Sequence, residues 1–246
     1  KPVIEMQFAD FVSCGFNQIV NNLAKTHYRW DAPLNVTLRM PCGGELSAGP
    51  FHSQNPESWF FHVPGLKIVY PSSPADVKGL LVSSIEDPNP VLFFEHKGLY
   101  RSVKGDVSVD LYNLPLGKAN IVRIGSNATI VTYGKAVHWA VDLVTRLDVS
   151  VEIIDLRTLV PWDRQTVLAS IQKTNRALVL HEANITGGIG AEIASTISEE
   201  AFELLDAPVK RIASLDTPIP FASHIEKNVY LPHKRFENAL RELLEY

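Results

Sequence analysis

Short, continuous apolar runs alternate along this chain with stretches in which apolar residues recur every three or four positions. The first pattern predicts strands buried on both faces and the second predicts amphipathic helices. Their alternation implies an α/β fold built on largely parallel sheets. Val3-Ile4-Glu5-Met6 predicts a strand, and Phe16, Ile19, Val20, Leu23 and Ala24 place one apolar stripe on a helix. Leu34 to Leu38 is the next predicted strand, followed by a small-residue loop from Pro41 to Pro50. Asn55-Pro56-Glu57 reads as a helix start, with asparagine as the cap and proline in the first turn.

Leu66 to Tyr70 predicts a strand, and Ser73-Pro74-Ala75-Asp76 repeats the start signal ahead of a helix whose buried face is Leu80, Leu81 and Ile85. Pro88 stops that helix and Val91 to Phe94 predicts another strand. Gly98 to Gly117 is polar and interrupted by proline. The domain boundary is placed there, giving residues 1–112 and 113–246. Beyond it, strands are predicted at Ala128 to Tyr133, Val151 to Ile154, Ala177 to Leu180 and Val209 to Ala213. Helices are predicted between them, on Val137, Ala140, Val141 and Val144, on Val167, Leu168 and Ile171 capped by Asp163, and on Ile193, Ile197, Ala201 and Leu204. Phe236, Leu240 and Leu243 face inward from the last helix.

At 246 residues the chain is near the size at which one hydrophobic core stops growing, so two domains are expected. Its formal net charge of −4 excludes a basic nucleic-acid binder. No apolar run approaches the roughly 20 residues that cross a bilayer, so no membrane partner is expected. Cys14 and Cys42 are the only cysteines, too few for a disulfide framework, and they suit a reducing compartment.

Gly187-Gly188-Ile189-Gly190 invites a dinucleotide-binding reading, but a G-x-G-x-x-G from Gly188 would need glycine where Ile193 stands. Small residues that let a helix enter close to a strand end are the better reading. No G-x-S-x-G, G-x-x-x-x-G-K-[ST] or H-E-x-x-H occurs, which removes the main support for hydrolase, P-loop and zinc-protease readings. His52 stands out among the eight histidines. It lies between a small-residue loop and a helix start, where a strand's carboxyl end opens toward a ligand crevice, and imidazole shuttles protons near neutral pH.

An ordered series of motifs carries a resemblance to a known family. They are Ile4 to Phe11 (IEMQFADF), Arg39 to Gly44 (RMPCGG), Phe51 to Gln54 (FHSQ), Pro64 to Pro71, Pro74 to Leu81, Ile154 to Asp163, and His181-Glu182-Ala183 with Thr186-Gly187-Gly188. The series resembles the β subunits of 2-oxo acid dehydrogenase E1 components, within the transketolase-like thiamin-diphosphate enzymes. The resemblance implies a pyrimidine-binding domain without its N-terminal part, followed by a transketolase C-terminal-type domain. It further implies thiamin-diphosphate-dependent oxidative decarboxylation of a 2-oxo acid, with reductive acylation of lipoyl on an E2 core. Pro161-Trp162-Asp163 and His181 to Gly188 favour the branched-chain branch, with a substrate of the 3-methyl-2-oxobutanoate type.

By the same resemblance His52 is the catalytic proton donor to lipoyl sulfur, Phe11 stacks on the cofactor's aminopyrimidine, and Gln7 lines the site. Branched-chain relatives often carry tyrosine at the Phe11 position, so stacking survives here without the hydroxyl. Some family members hold a structural potassium ion where a strand meets a helix end. The matching positions are Leu34, Val36, Thr37, Ser84, Asp87 and Asn89.

The departures point to partners. The glutamate that activates the cofactor and the Gly-Asp-Gly…Asn segment that holds diphosphate through Mg2+ are not found here. Further sequence before Lys1 is therefore expected, together with an E1 α part in an α2β2 or fused assembly. Glu45 and Ser47 replace small or basic residues in the loop after Gly44. The E2 lipoyl and subunit-binding domains are the other expected partners, the latter near the acidic end from Glu242 to Tyr246. The implied compartment is a bacterial cytoplasm or a mitochondrial matrix. A pyruvate or acetoin dehydrogenase E1 β part, and a non-catalytic assembly module, remain as alternatives.

Overall fold

The computed structural model describes every residue from Lys1 to Tyr246. Strand β1 (Val3–Glu5) leads into a 3-10 segment, Ala9–Gly15, then a π-helical stretch, Gln18–Leu23, and helix α1 (Ala24–Trp30). The predicted apolar stripe is therefore wound more widely than expected at its start. Ile19 and Ala24 are buried, and Phe16, Val20 and Leu23 pack against the same core. Strand β2 (Thr37–Cys42) starts later than predicted and runs on through Pro41 and Cys42. Leu34 bonds through its amide to Pro88 O at 2.8 Å and accepts from Val36 N at 2.8 Å, a turn that keeps these residues out of the ladder.

After β3 (Lys67–Val69) comes α2 (Pro74–Glu86), capped as predicted by Ser73, whose Oγ accepts the Asp76 amide at 3.2 Å. Strand β4 (Val91–His96) is buried along its whole length, as its apolar run implied. The helix expected after Asn55 is a single turn, Ser58–Phe61, and the Asn55 side chain does not cap it. Its amide is used elsewhere, as described below.

The second half supplies β5 (Asn120–Arg123), β6 (Ala128–Thr132), α3 (Ala136–Leu147), β7 (Val151–Asp155), β8 (Thr158–Val160), α4 (Arg164–Thr174), β9 (Ala177–Asn184), α5 (Ile189–Glu200), β10 (Lys210–Ser214) and α6 (His233–Leu244). Asp163 caps α4 as predicted, with Oδ1 accepting the Thr166 amide at 3.2 Å. Helix α5 ends at Glu200, so Leu204 belongs to a separate 3-10 turn, Phe202–Leu204. The glycines that open α5 serve close packing. A Cβ at Gly188 would come within 2.5 Å of the His181 ring and one at Gly190 within 2.7 Å.

The strands form two five-stranded sheets, ordered β1-β2-β4-β3-β8 and β10-β9-β6-β7-β5. All pairings are parallel except β3 with β8 and β5 with β7. Strand β8 was not foreseen. It leaves the second half of the chain to complete the first sheet, pairing Ile68 with Val160 and Val69 with Thr158. The crossing is pinned where Asp155 accepts Ser72 Oγ at 2.5 Å and Arg157 pairs with Asp76 at 2.6 Å. Burial raises the Asp155 carboxyl to about 7, against the pull of the Ser72 and Arg157 hydrogen bonds. One core of 28 residues draws on both sheets, from Ala9 to Phe94 and from Val131 to Ala201; a second, of 19, lies within the second half.

Candidate active site

Strand β2 delivers Cys42 to the carboxyl edge of the first sheet, and the chain then turns back through Gly43 to Gln54. A positive φ of 89° at Gly43 makes the turn, and the Gly43 amide closes the loop on Gln54 O at 3.2 Å. Inside the loop, Glu45, Ser47 and Gly49 also have left-handed backbones, with φ of 63°, 53° and 70°. Glu45, flagged in the sequence as a departure, faces the second half of the chain. Its amide donates to Glu226 Oε1 at 2.7 Å, and its carboxylate pairs with Lys135 and, at 3.4 Å, with His233.

His52 is half-buried near the end of this loop. Phe8 and Phe11 present themselves to its ring edge-on, with centroids 4.9 and 5.7 Å away. The imidazole makes no hydrogen bond within the chain, so its nitrogens remain available, while its backbone carbonyl accepts Lys97 Nζ at 2.8 Å. The same ammonium lies 5.1 Å from the Phe8 ring centroid, and burial lowers its pKa. Asp10, almost fully buried, holds the loop exit by accepting the Gln54 amide at 2.9 Å on Oδ1, and its Oδ2 has no partner.

Phe11 is 45% exposed, so packing in a core does not account for it. Gln7 lies exposed in the bend just before this aromatic pair. Sequence reasoning missed Phe8, Lys97 and Asp10. The spacing of Phe8 and Phe11, three apart on a 3-10 turn, was the available signal.

Beneath the loop lies a buried polar seam between the two halves. Glu182, on β9, accepts the Gly44 amide at 2.6 Å and Asn55 Nδ2 at 3.0 Å on Oε1, and His96 Nε2 at 2.7 Å on Oε2. Burial alone would raise this carboxyl, but His96 and those N–H donors hold it down at about 2. Glu57 is equally buried and behaves in the opposite way. Desolvation lifts it to about 8, against the pull of a 2.7 Å hydrogen bond from Tyr133 OH. Tyr70 OH links the seam together, accepting from Cys42 Sγ at 3.0 Å and donating to Asn55 Oδ1 at 2.8 Å.

Among the six positions matched to a potassium site, the side-chain oxygens of Ser84, Asp87 and Asn89 are already engaged. The Asp87 carboxylate pairs with Lys67 and accepts the Asn89 amide at 2.9 Å. Asn89 Oδ1 lies 2.7 Å from His27 Nδ1, and Ser84 Oγ donates to Leu80 O at 2.7 Å. Val36 O accepts from Val91 N at 2.9 Å, and the Leu34 carbonyl closes its own turn. The Thr37 side chain is buried. The Lys67 ammonium already places a cation on the Asp87 carboxylate. No group of three or more His, Cys, Asp or Glu side chains is arranged to hold a metal.

The transketolase pyrimidine-binding domain family matches residues 1–103, and the transketolase C-terminal domain family matches residues 117–235. The chain is 45% identical over its whole length to a mitochondrial 2-oxoisovalerate dehydrogenase subunit beta 2 of Arabidopsis thaliana, of which it spans 70%. It is 43% identical, again over its whole length, to the 2-oxoisovalerate dehydrogenase subunit beta of Bacillus subtilis, spanning 77% of that protein. With 96% of its length it is 40% identical to a pyruvate dehydrogenase E1 component subunit beta of Staphylococcus epidermidis, spanning 73% of it. Among solved structures it shares the fold of a split-gene transketolase inactive β4 tetramer, at 21% identity and a TM-score of 0.78, over 99% of this chain and 76% of that one. No helix is long and apolar enough to cross a membrane.

Proposed function

The chain belongs to the family of E1 β subunits of 2-oxo acid dehydrogenases, and from that premise we propose that it forms one wall of a thiamin-diphosphate site and carries the proton donor for acyl transfer to lipoyl. The substrate is a branched-chain 2-oxo acid of the 3-methyl-2-oxobutanoate type, as the names of the relatives from Arabidopsis and Bacillus suggest. The observation that carries this reading is the His52 imidazole, unbonded and half-buried between two aromatic edges beside an exposed Phe11 face.

These residues fit the cofactor. Thiamin diphosphate, when bound, supplies a carbon nucleophile that accepts the 2-oxo carbonyl and lets the carboxylate depart as carbon dioxide. The open Phe11 ring gives a flat apolar surface on which the aminopyrimidine can stack, and Gln7 borders it. Phe8 and Phe11 flank the imidazole through perpendicular ring contacts that orient it. A ring nitrogen of His52, free of hydrogen bonds within the chain, then donates a proton to the sulfur of the opening dithiolane. The donors for diphosphate and Mg2+ are assigned to an E1 α partner.

The α partner also accounts for the apolar rim. Phe51 and Trp59 are exposed on a groove of about 320 Å³ that flanks the His52 loop between the two halves of the chain, and Phe221, also exposed, stands beside Gly49 of the same loop. At the C-terminal end Glu242 is tied to Lys210 at 3.2 Å, leaving Glu245 and Tyr246 exposed as the contact for an E2 subunit-binding domain. Two free cysteines suit a bacterial cytoplasm or a mitochondrial matrix.

The test is His52→Ala in the assembled E1. Acylation of a lipoyl domain should fall by about two orders of magnitude or more. Unchanged acylation would return the chain to the role of an assembly module. Turnover of 3-methyl-2-oxobutanoate against pyruvate decides the substrate, and a clear pyruvate preference would transfer the reading to the pyruvate branch.

A further inference from the structure

We propose that Glu182, from the second half of the chain, is a positioning residue for His52, clasping both ends of the loop that carries the imidazole. This rests on the reading of His52 given above. A single oxygen, Oε1, accepts the Gly44 amide at the loop's entry at 2.6 Å and Asn55 Nδ2 at its exit at 3.0 Å. The loop, already closed by the Gly43 amide on Gln54 O, is thus also clasped by one atom of a residue 138 positions from Gly44 in sequence.

The other oxygen gives the clasp a second arm. Oε2 takes His96 Nε2 at 2.7 Å, while His96 Nδ1 accepts the Gly98 amide at 3.0 Å, which assigns the ring proton to Nε2. Between His96 and Gly98 stands Lys97, whose ammonium holds the His52 carbonyl at 2.8 Å. Each element of this chain thus sets where the next one sits.

Three N–H donors converge on Glu182 and nothing donates from it, so only a carboxylate satisfies all of them. Glutamine would turn an NH2 toward at least one donor. The fit has little slack. A Cβ at Gly43 would stand 2.2 Å from the His96 ring, and one at Gly44 would stand 2.6 Å from Glu226 Oε1. Within the loop the tie nearest the imidazole is weak, the His52 amide reaching Gly49 O at 3.4 Å. Placement of the ring therefore depends on the anchored ends.

The experiment is a double-mutant cycle in the assembled E1, with Glu182→Gln, His52→Ala and the pair. Two rates are read for each: acylation of a lipoyl domain, and decarboxylation coupled to an artificial electron acceptor. Glu182→Gln should lower lipoyl acylation by about ten- to a hundredfold, lower the acceptor-coupled rate by less than about threefold, and add nothing in the His52→Ala background. Equal losses in both rates, or additive losses in the cycle while His52→Ala is itself impaired, overturn the clasp alone. A fully active His52→Ala overturns the role of His52 and the clasp with it. Should Glu182→Gln fail to assemble, Asn55→Ala keeps the Glu182–His96 pair and removes the exit contact together with the Tyr70 hydrogen bond, and Tyr70→Phe, which loses the latter but keeps the exit contact, is the control. Asn55→Ala should show the same selective loss, smaller in size, and its silence would overturn the proposal.

Discussion

The two ends of strand β2 are built in opposite ways. Near its amino end, Asp87, Lys67, Asn89, His27 and Ser84 pair with one another or with nearby carbonyls, and Leu34 and Val36 bond through their backbones. At its carboxyl end the chain holds left-handed backbones at Gly43, Glu45, Ser47 and Gly49, a carboxylate oxygen of Asp10 without a partner, and an imidazole with both nitrogens unbonded. Folding alone favours the first arrangement, because each unpaired buried polar group costs about 1–3 kcal/mol. Four left-handed residues within one short loop beside an unbonded imidazole are what the proposed ligand site would use.

The sharpest way to break this contrast is Gly43→Ala. A side chain there meets the His96 ring on a left-handed backbone, so a loss of about 3 kcal/mol or more in stability is expected, with collapse of lipoyl acylation. Chemical denaturation beside an activity assay checks it. A variant of wild-type stability and rate would mean that the loop is looser than described.

Glu57 gives the next effect, and its sign follows from proton binding. The folded state keeps this carboxyl protonated up to about 8, whereas the unfolded chain releases the proton near pH 4.3. Between those values the folded form binds more protons, so stability is greatest below the lower value and declines as pH rises toward 8, by at most about 1.4 kcal/mol per pH unit. Asp155 acts in the same direction up to about 7. The difference between wild type and Glu57→Gln isolates the Glu57 share, and melting curves from pH 5 to 8.5 should show a shallower decline in the variant. Parallel curves would rule out a protonated Glu57.

Phe11→Ala should leave the melting temperature nearly unchanged, because the ring is already 45% exposed, and weaken thiamin-diphosphate binding roughly three- to tenfold. Titration of the assembled apoenzyme reads this directly. The smallest effect belongs to the paired end of β2. Asp87→Asn is expected to cost about 1 kcal/mol through the lost Lys67 contact, with the same melting temperature in potassium and choline chloride. A rise specific to potassium would restore an ion at Asp87.

Much of the frame was legible in the sequence because its signals are local. Ser73 and Asp163 cap the helices they were expected to cap, β4 and β9 are the buried apolar runs, and the Gly188–Gly190 stretch packs closely on His181. Of the candidate site, His52 was singled out by its place between a small-residue loop and a helix start, and Phe11 only through family motifs. What stayed hidden depends on distant pairing. Asn55 looked like a helix cap, but its side chain is drawn to Glu182 and Tyr70. Strand β8 has only three residues, too few to show a period, and pairs with a strand some ninety positions earlier. Glu182 interrupts the apolar run of β9, and that buried charge was the one visible trace of the seam.

Because β8 closes the first sheet from the far side of the irregular connector, the first half does not own its full set of strands. Severing the gene between codons 112 and 113 would release an upstream fragment with β3 as a bare, sticky edge, prone to self-association. The downstream fragment would carry a homeless ribbon. Co-expressed, the two pieces should reunite by strand addition.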